Sequence, residues 1–363
     1  MRLLMIGGFL GAGKTTTIAR LARGYLERGH KIGIVTNDQA AELVDTHFLR
    51  SQGFPVGEVA GACFCCQFNA LTETLEQLDA QALPDTVLTE PVGSCTDLVA
   101  TVLEPLRALH GDRFDVGPLT VLLKPEHGRK ILGARRRAGF SPKAQYIFLK
   151  QLEEADIIAV NKIDRLDKDA RDELRECLQD RYAGKPVLFV SARTGEGFDE
   201  LALALESPSP AHASLMDVDY QVYAEGEAEL GWLNARGVAQ GASFDLDELA
   251  RQLTRRLAVR LAGRQMEAAH VKILAESGPD VALANLVSSD SEAELSVSSG
   301  VRVERADVTI NARVAGAPDI LKGEVEATCR EVAEALVITL PLETVHHFRP
   351  APPVPTHRAG RDV

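Results

Sequence analysis

The chain has no run of eighteen apolar residues, so no membrane-spanning helix is expected. It is short of positive charge: 40 lysines and arginines against 52 aspartates and glutamates leave a formal net charge of −12. Phosphate backbones select basic surfaces, which argues against a nucleic-acid partner. No internal repeat is visible, so a stacked-repeat architecture is not expected either. The opening apolar stretch stops at Gly7-Gly8 and runs straight into a glycine-rich loop, which reads as a strand and not as a secretion signal. Cysteine is scarce and uneven. Of six, Cys63, Cys65 and Cys66 fall within four residues, while Cys95, Cys177 and Cys329 stand alone. With no secretion signal, a reducing, cytoplasmic setting is expected, where such a cluster means metal or redox chemistry more often than disulfides.

What is present is ordinary globular material: 363 residues, 45% hydrophobic and 25% charged, enough for two domains. Residues 8–15 read Gly8-Phe9-Leu10-Gly11-Ala12-Gly13-Lys14-Thr15, a full phosphate-binding loop, with a short apolar run before it and a helical pattern after it. The glycines let backbone amides point inward at phosphate oxygens, and the helix N-terminus adds partial positive charge. Lys14 supplies a full charge for the β- and γ-phosphates, and the Thr15 hydroxyl is placed to ligate Mg²⁺. A nucleoside triphosphate is therefore the expected ligand.

Further short apolar runs at 31–35, 85–89, 119–123, 157–160 and 186–190 read as strands covered on both faces, with helical stretches such as 70–81 and 169–182 between them. This predicts an α/β fold, a doubly wound, mostly parallel sheet of the P-loop type over residues 1–205, whose ligands sit at the carboxyl ends of its strands. A Pro- and Ser-rich break marks a linker at 206–217. A second, smaller α+β domain is expected over 218–340, with strands at 220–228, 271–275, 281–287 and 301–314 and helices at 246–261 and 319–336. Residues 341–363 read as an extended Pro-rich tail.

The strand ending at Val160 is followed by Asn161-Lys162-Ile163-Asp164, and the next one by Ser191-Ala192-Arg193. A carboxylate at Asp164 can accept hydrogen bonds from both N1–H and the exocyclic amine of guanine, which adenine does not offer in that arrangement. Lys162 can lay its aliphatic stem over the base, and a backbone N–H around Ser191 and Ala192 can reach guanine O6. The competing reading makes Asp164 an ordinary helix cap.

Glu58-Val59-Ala60-Gly61-Ala62-Cys63-Phe64-Cys65-Cys66 is the second informative stretch. Thiolates suit Zn²⁺, Co²⁺ or Cu⁺, though an adjacent Cys65-Cys66 pair reaches one ion only by local backbone adjustment. Buried apolar thiols and a redox pair of Cys63 and Cys66 are the alternatives. With these residues in view, the chain resembles the CobW-like branch of the GTPase metallochaperone class that also holds the HypB and UreG types. The likeness rests on residues 8–16, the Gly-x-Cys-x-Cys-Cys stretch at 61–66, Glu90-x-x-Gly93 in place of Asp-x-x-Gly, and residues 161–164. It covers about residues 1–205.

The resemblance implies a GTPase that uses GTP and Mg²⁺, binds a transition metal (Zn²⁺ or Co²⁺) at Cys63, Cys65 and Cys66, and delivers it to a client metalloprotein. Gly8, Gly11, Ala12, Gly13, Lys14, Thr15 and Thr16 would hold the phosphates, with Lys14, Asp38 and Glu90 acting in hydrolysis. Gly93 would contact the γ-phosphate, making 90–97 a switch; no glutamine stands in the usual water-positioning place, so slow turnover is expected. A chaperone serving a corrinoid-dependent enzyme is the alternative, and a small-molecule kinase, kept open by Arg135-Arg136-Arg137, the outsider. Two departures stand out: Thr36 replaces a carboxylate common in relatives, and Leu123-Lys124-Pro125 replaces Val-Asp-Ala. With Thr36 unable to ligate, Cys63, Glu58 and Cys95 are the candidates to complete the shell around Cys65 and Cys66, Cys95 lying inside the switch. His346, His347 and His357 are weaker candidates for metal, and Trp232 reads as core. Homodimerisation is compatible with the sequence.

Overall fold

A run such as Leu3-Leu4-Met5-Ile6, apolar at every position, is stable only if helices cover both faces of its sheet, and all four side chains are buried. The computed structural model of the protein describes residues 1–37, 44–133, 141–209, 215–287, 289 and 292–360. In chain order the first half contains β1 (Arg2–Gly8), α1 (Lys14–Glu27), β2 (Ile32–Asn37), α2 (Val44–Ser51), β3 (Val56–Val59), α3 (Phe68–Ala82), β4 (Thr86–Glu90) and α4 (Glu104–His110). There follow β5 (Asp115–Val116), β6 (Thr120–Leu123), α5 (Pro125–Leu132), α6 (Pro142–Glu154), β7 (Ile157–Val160), α7 (Lys168–Arg181), β8 (Val187–Phe189), α8 (Phe198–Glu206) and α9 (Tyr220–Ala228).

The strands form a parallel sheet in the order β3-β2-β4-β1-β6-β7-β8, with the short β5 alongside β1. Register places Leu3 beside Val87 of β4 and Gly7 beside Val121 of β6. The phosphate loop thus leaves β1 between the ends of β4 and β6, at Glu90 and Lys124, and Asn161 follows the next strand along. This is the doubly wound sheet that the apolar runs predict.

The second sheet is antiparallel, built from β9 (Leu230–Asp245), β10 (Glu267–Ser277), β11 (Asp280–Leu286), β12 (Glu294–Val297), β13 (Arg302–Ala315) and β14 (Leu342–Phe348) in the order β12-β11-β10-β13-β9-β14. Its inward side chains, among them Leu233, Val271, Ile273, Val308 and Ile310, share one core with α10 (Leu246–Gly263) and α11 (Pro318–Leu336). On α10 the contacts come from Leu246, Leu249, Leu253, Leu257 and Leu261, the three-and-four spacing of a helix with one apolar stripe. Trp232 is buried, with the Arg313 guanidinium 4.0 Å from its ring centroid. No helix of the described residues is long and apolar enough to cross a membrane.

The chain divides into two compact units, 1–39 with 53–226 and 352–363, and 40–52 with 227–351. This differs from the contiguous boundaries read in the sequence. Helix α2 belongs with the second sheet because Val44 N–H donates to Asn311 Oδ1 at 3.0 Å and Asp45 pairs with Lys272. The segment expected to be a tail from 341 opens as β14, whose pairing with β9 sets Val345 opposite Ala235, and its last residues return to the first unit.

A second correction concerns 220–228, expected as a strand and found as helix α9. Its alternation is overruled by Asp219, whose carboxylate accepts from Gln221 N–H at 2.9 Å and Val222 N–H at 3.1 Å and so caps the first turn. The helix turns Tyr220 and Tyr223 to one side, and Tyr223 is wholly buried. Loss of the cap in Asp219→Ala should lower stability by about 1 kcal/mol in urea unfolding; no change would mean that tertiary packing alone holds this helix.

Candidate functional site

The phosphate loop closes on itself through Lys14, whose Nζ donates to the Gly8 carbonyl at 3.0 Å. Gly8 and Gly13 are irreplaceable for steric reasons. Both have positive φ, and an added Cβ would lie 2.3 Å from Leu122 O at Gly8 and 2.5 Å from Asn161 Nδ2 at Gly13. Thr15 Oγ1 donates to Glu90 Oε1 at 3.0 Å, so the expected Mg²⁺ ligand and the carboxylate ending β4 already meet. Gly93 lies against the loop as well: a Cβ there would be 3.0 Å from Lys14 Nζ. These groups suit a phosphate and its cation. Thr16 is exposed in the first turn of α1, beside the loop, and Asp38 and Arg135–Arg137 fall outside the described residues.

Asn161 ties the base-side motifs together. Its Nδ2 donates to Ala12 O at 2.8 Å, while its Oδ1 accepts from Lys162 N–H at 2.8 Å and Ala192 N–H at 3.0 Å. The Ala192 amide, expected to be available to a guanine oxygen, is therefore engaged by Asn161. Asp164 accepts from Ser191 Oγ at 2.7 Å and pairs with Arg193 at 2.7 Å. That arginine side chain is 66% exposed, so a ligand with two N–H donors would displace an exposed partner and not a buried one. Lys162 sits in the left-handed region at φ 65°. Beneath them Lys124 is buried at the end of β6, and burial, reinforced by the charge of Lys162, pulls its pKa down to about 7.

The cysteine loop is organised by a residue to which the sequence reading assigned no role. Asn37, ending β2, donates through Nδ2 to Val59 O and Ala62 O, both at 2.8 Å, and accepts from Phe64 N–H at 2.8 Å. Cys63 O accepts from Cys66 N–H at 3.0 Å and Gln67 N–H at 2.9 Å, a turn that leads into α3. This turn is the backbone adjustment that brings the adjacent pair together. The sulfurs lie 2.9 Å apart for Cys63 and Cys65, 3.3 Å for Cys63 and Cys66, and 3.8 Å for Cys65 and Cys66. Four thiolates around Zn²⁺ at about 2.3 Å sit about 3.8 Å from one another, so an ion fits once Cys63 moves outward slightly. Among the described residues, these three form the one group of His, Cys, Asp and Glu side chains close enough to hold a metal ion.

Cys95 is buried beside this group but is not part of it; hydrogen bonds from Cys65, Cys66 and Cys95 hold the Cys63 thiol well below its usual pKa. Cys65 is pushed well above it and Cys66 up to about 11, chiefly by hydrogen bonding to Cys63 and by burial. Glu58 stands on β3 opposite Thr36 and is not part of the sulfur group. His346 lies on β14, and His347 bonds Asp319 at 3.0 Å, both in the other unit.

The segment 90–97 is buried throughout, and α6 supplies its partners. Gln151 Nε2 donates to Gly93 O at 3.1 Å and Cys95 O at 2.7 Å. Glu154 accepts from Thr96 Oγ1 at 3.1 Å and Val99 N–H at 3.2 Å. Neither residue has a local sequence signal, since each reads as part of a helix face.

A P-loop on the first strand of a parallel sheet, Asn-Lys-x-Asp on a later one and a three-thiol loop at the same edge define a nucleotide-binding protein with a candidate metal site. The family model described as "CobW/HypB/UreG, nucleotide-binding domain" matches residues 2–189, and the chain belongs to that family of P-loop GTPases. It is 30% identical over 223 residues to the urease accessory protein UreG of Metallosphaera sedula, covering 55% of this chain and 90% of that one. It is also 30% identical over 191 residues to the zinc chaperone YeiR of Escherichia coli, covering 51% of this chain but only 53% of YeiR. A crystal structure of HypB from Helicobacter pylori in complex with nickel aligns with a TM-score of 0.41 at 18% identity, over 55% of this chain and 83% of that one.

Burial raises the pKa of Glu154 to about 8. A carboxyl whose folded pKa exceeds its unfolded value favours folding fully below the unfolded pKa, near 4.3, and loses that contribution as pH rises through the folded one. Between about pH 5 and pH 8, urea unfolding of Glu154→Gln should therefore gain on the parent chain by up to about 1.4 kcal/mol per pH unit. A difference that stays flat across that window would mean that Glu154 is ionised in the folded protein.

Proposed function

We propose that the chain is a GTP-hydrolysing metallochaperone that carries Zn²⁺ or Co²⁺ on its cysteine loop and passes it to a client metalloprotein in the cytoplasm. One observation carries this reading: the nucleotide groups and the sulfur cluster are joined by a single short segment. Glu90 is bonded to Thr15, Gly93 lies against Lys14, and two residues on, Cys95 is bonded to Cys63. A change at the phosphates reaches a metal ligand within six residues of backbone.

In this reading Gly8, Gly11, Ala12, Gly13, Lys14 and Thr16 hold the phosphates of GTP, and Thr15 with Glu90 holds Mg²⁺. Asp38 and Glu90 position water, and Asn161, Lys162, Asp164, Ser191 and Ala192 surround the base. Bound Mg²⁺–GTP supplies the phosphoanhydride whose cleavage removes negative charge facing Lys14 and Gly93. Cys95 completes four sulfur ligands with Cys63, Cys65 and Cys66, so metal affinity follows the nucleotide state and, by reciprocity, nucleotide affinity follows the metal.

Two measurements test the two halves separately. Asp164→Asn should weaken GTP binding about 10²-fold, because two N–H donors lose a charged acceptor; ATP competing as well as GTP for the parent chain would overturn the guanine assignment. Cys95→Ser should lower Zn²⁺ affinity on the order of 10-fold and abolish its dependence on whether a GTP analogue or GDP is bound. Equal affinity in parent and variant, in both nucleotide states, would remove Cys95 from the shell.

A further inference from the structure

The last described residues lie on the cysteine loop. Val354 N–H donates to Cys66 Sγ at 3.2 Å, Thr356 N–H to Cys65 O at 2.8 Å, and Thr356 Oγ1 to Cys66 O at 3.1 Å. The His357 ring packs edge-on against Phe68, the first residue of α3, at 4.8 Å between centroids. Arg358 then reaches Asp97, at the far end of the 90–97 segment, with Nε at 2.7 Å and a second nitrogen at 3.4 Å, and also donates to Met216 O at 2.8 Å. Ala359 N–H closes the set on Ala100 O at 2.8 Å.

Two features make this more than a resting place for a chain end. Asp97 is buried, with 1% of its side chain exposed, and the Arg358 that pairs with it is 15% exposed. Removing one member leaves the other charge buried without its partner, so the pair holds the segment strongly. Asp97 is also in the left-handed region at φ 65°, where a non-glycine residue persists only when its surroundings fix it; Arg358 and Tyr220, whose hydroxyl donates to Asp97 at 2.6 Å, do so. Pro352, Pro353 and Pro355 keep the approach extended, which reduces the entropy lost on docking.

We propose that residues 354–359 form a clasp on the cysteine site. Docked, the clasp covers one side of Cys66, donates an N–H to its sulfur, and ties the thiol loop to the segment that ends at Asp97. Metal enters and leaves when it lifts. The Val354 N–H fixes the direction of the Cys66 sulfur, and Thr356 fixes the carbonyls on either side of it, so the docked clasp holds the thiol loop in one arrangement. A metal-accepting chain approaching Cys66 meets the same sulfur and carbonyls that the clasp occupies.

The metal part of this proposal rests on the metallochaperone reading; the covering of Cys66 does not. The full-length, reduced, metal-free chain is therefore treated with iodoacetamide, and labelling of each cysteine is followed by mass spectrometry in the parent, Arg358→Glu and Val354→Pro. Cys177, partly exposed on α7, reports any general loosening. Arg358→Glu should raise the labelling rate of Cys66 about 10-fold with Cys177 unchanged, and should speed Zn²⁺ loss to a chelator by a similar factor. Val354→Pro replaces the N–H facing the sulfur with a ring methylene while leaving Arg358 in place, and should raise Cys66 labelling alone, which settles the matter if the first variant also loosens Cys177. Unchanged Cys66 labelling in Val354→Pro, or in a folded Arg358→Glu, overturns the clasp. Protected Cys66 in the parent and reactive Cys66 in the variants, with no Zn²⁺ bound by any of them, supports the clasp and overturns the metallochaperone reading.

Discussion

A loop that turns into the protein interior must find a partner for each polar group it takes out of water, and the run from Glu90 to Asp97 is such a loop. Its carbonyls at Gly93 and Cys95 are held by Gln151, its amide at Thr96 by the Tyr223 hydroxyl at 3.4 Å, and its Thr96 hydroxyl by Glu154. Tyr220 and Arg358 hold the Asp97 carboxylate. Because the partners come from α6, α9 and the chain end, the segment moves only if several elements release it. That is the condition for a discrete change at the phosphates to be felt at a sulfur, since a softly held loop would absorb it locally.

The same device recurs on either side. Asn37 and Asn161 each end a parallel strand, and each uses its amide to join loops that no sheet hydrogen bond connects. A side-chain amide suits this place because it donates and accepts in one plane. Strand ends in a parallel sheet leave loops side by side with unpaired backbone groups, and two asparagines bind thiol loop, phosphate loop and base-side motif to the rigid sheet behind them. The thiol cluster adds an electrostatic economy of its own. Hydrogen bonds from its neighbours hold the Cys63 thiol well below its usual pKa, while the same contacts and burial push Cys65 and Cys66 above theirs.

Much of the fold was legible because its signals are local. Apolar runs such as 157–160 match the observed strand, and the spacing at 246–261 matches the stripe that α10 buries. The failures share a cause. The sixteen-residue β9 carries glycine at 231, 237 and 241 and small residues between, so its pattern is broken although Leu233, Ala235, Ala239 and Phe244 all point into the core. The alternation over 220–228 is real but is overruled by Asp219 and by burial of Tyr223. β14 was hidden among prolines, since a strand at the sheet edge is defined by the neighbour it pairs with, and β9 lies over a hundred residues earlier in the chain.

What the sequence determined by itself is the chemistry that contiguous residues perform on their own backbone: the phosphate loop with Lys14 and Thr15, the Asn161–Asp164 motif, and three thiols close enough to share a turn. Those arrangements need only short-range sterics and a strand to stand on. What tertiary structure decided is which of these sites meet. Cys95 against Cys63, Gln151 under Gly93, and Val354 on Cys66 across 288 positions of chain are contacts between residues with no local relation. Such contacts arise because closing a long loop costs only slightly more entropy than closing a short one, so burial and hydrogen-bond satisfaction, and not proximity in the chain, select the partners.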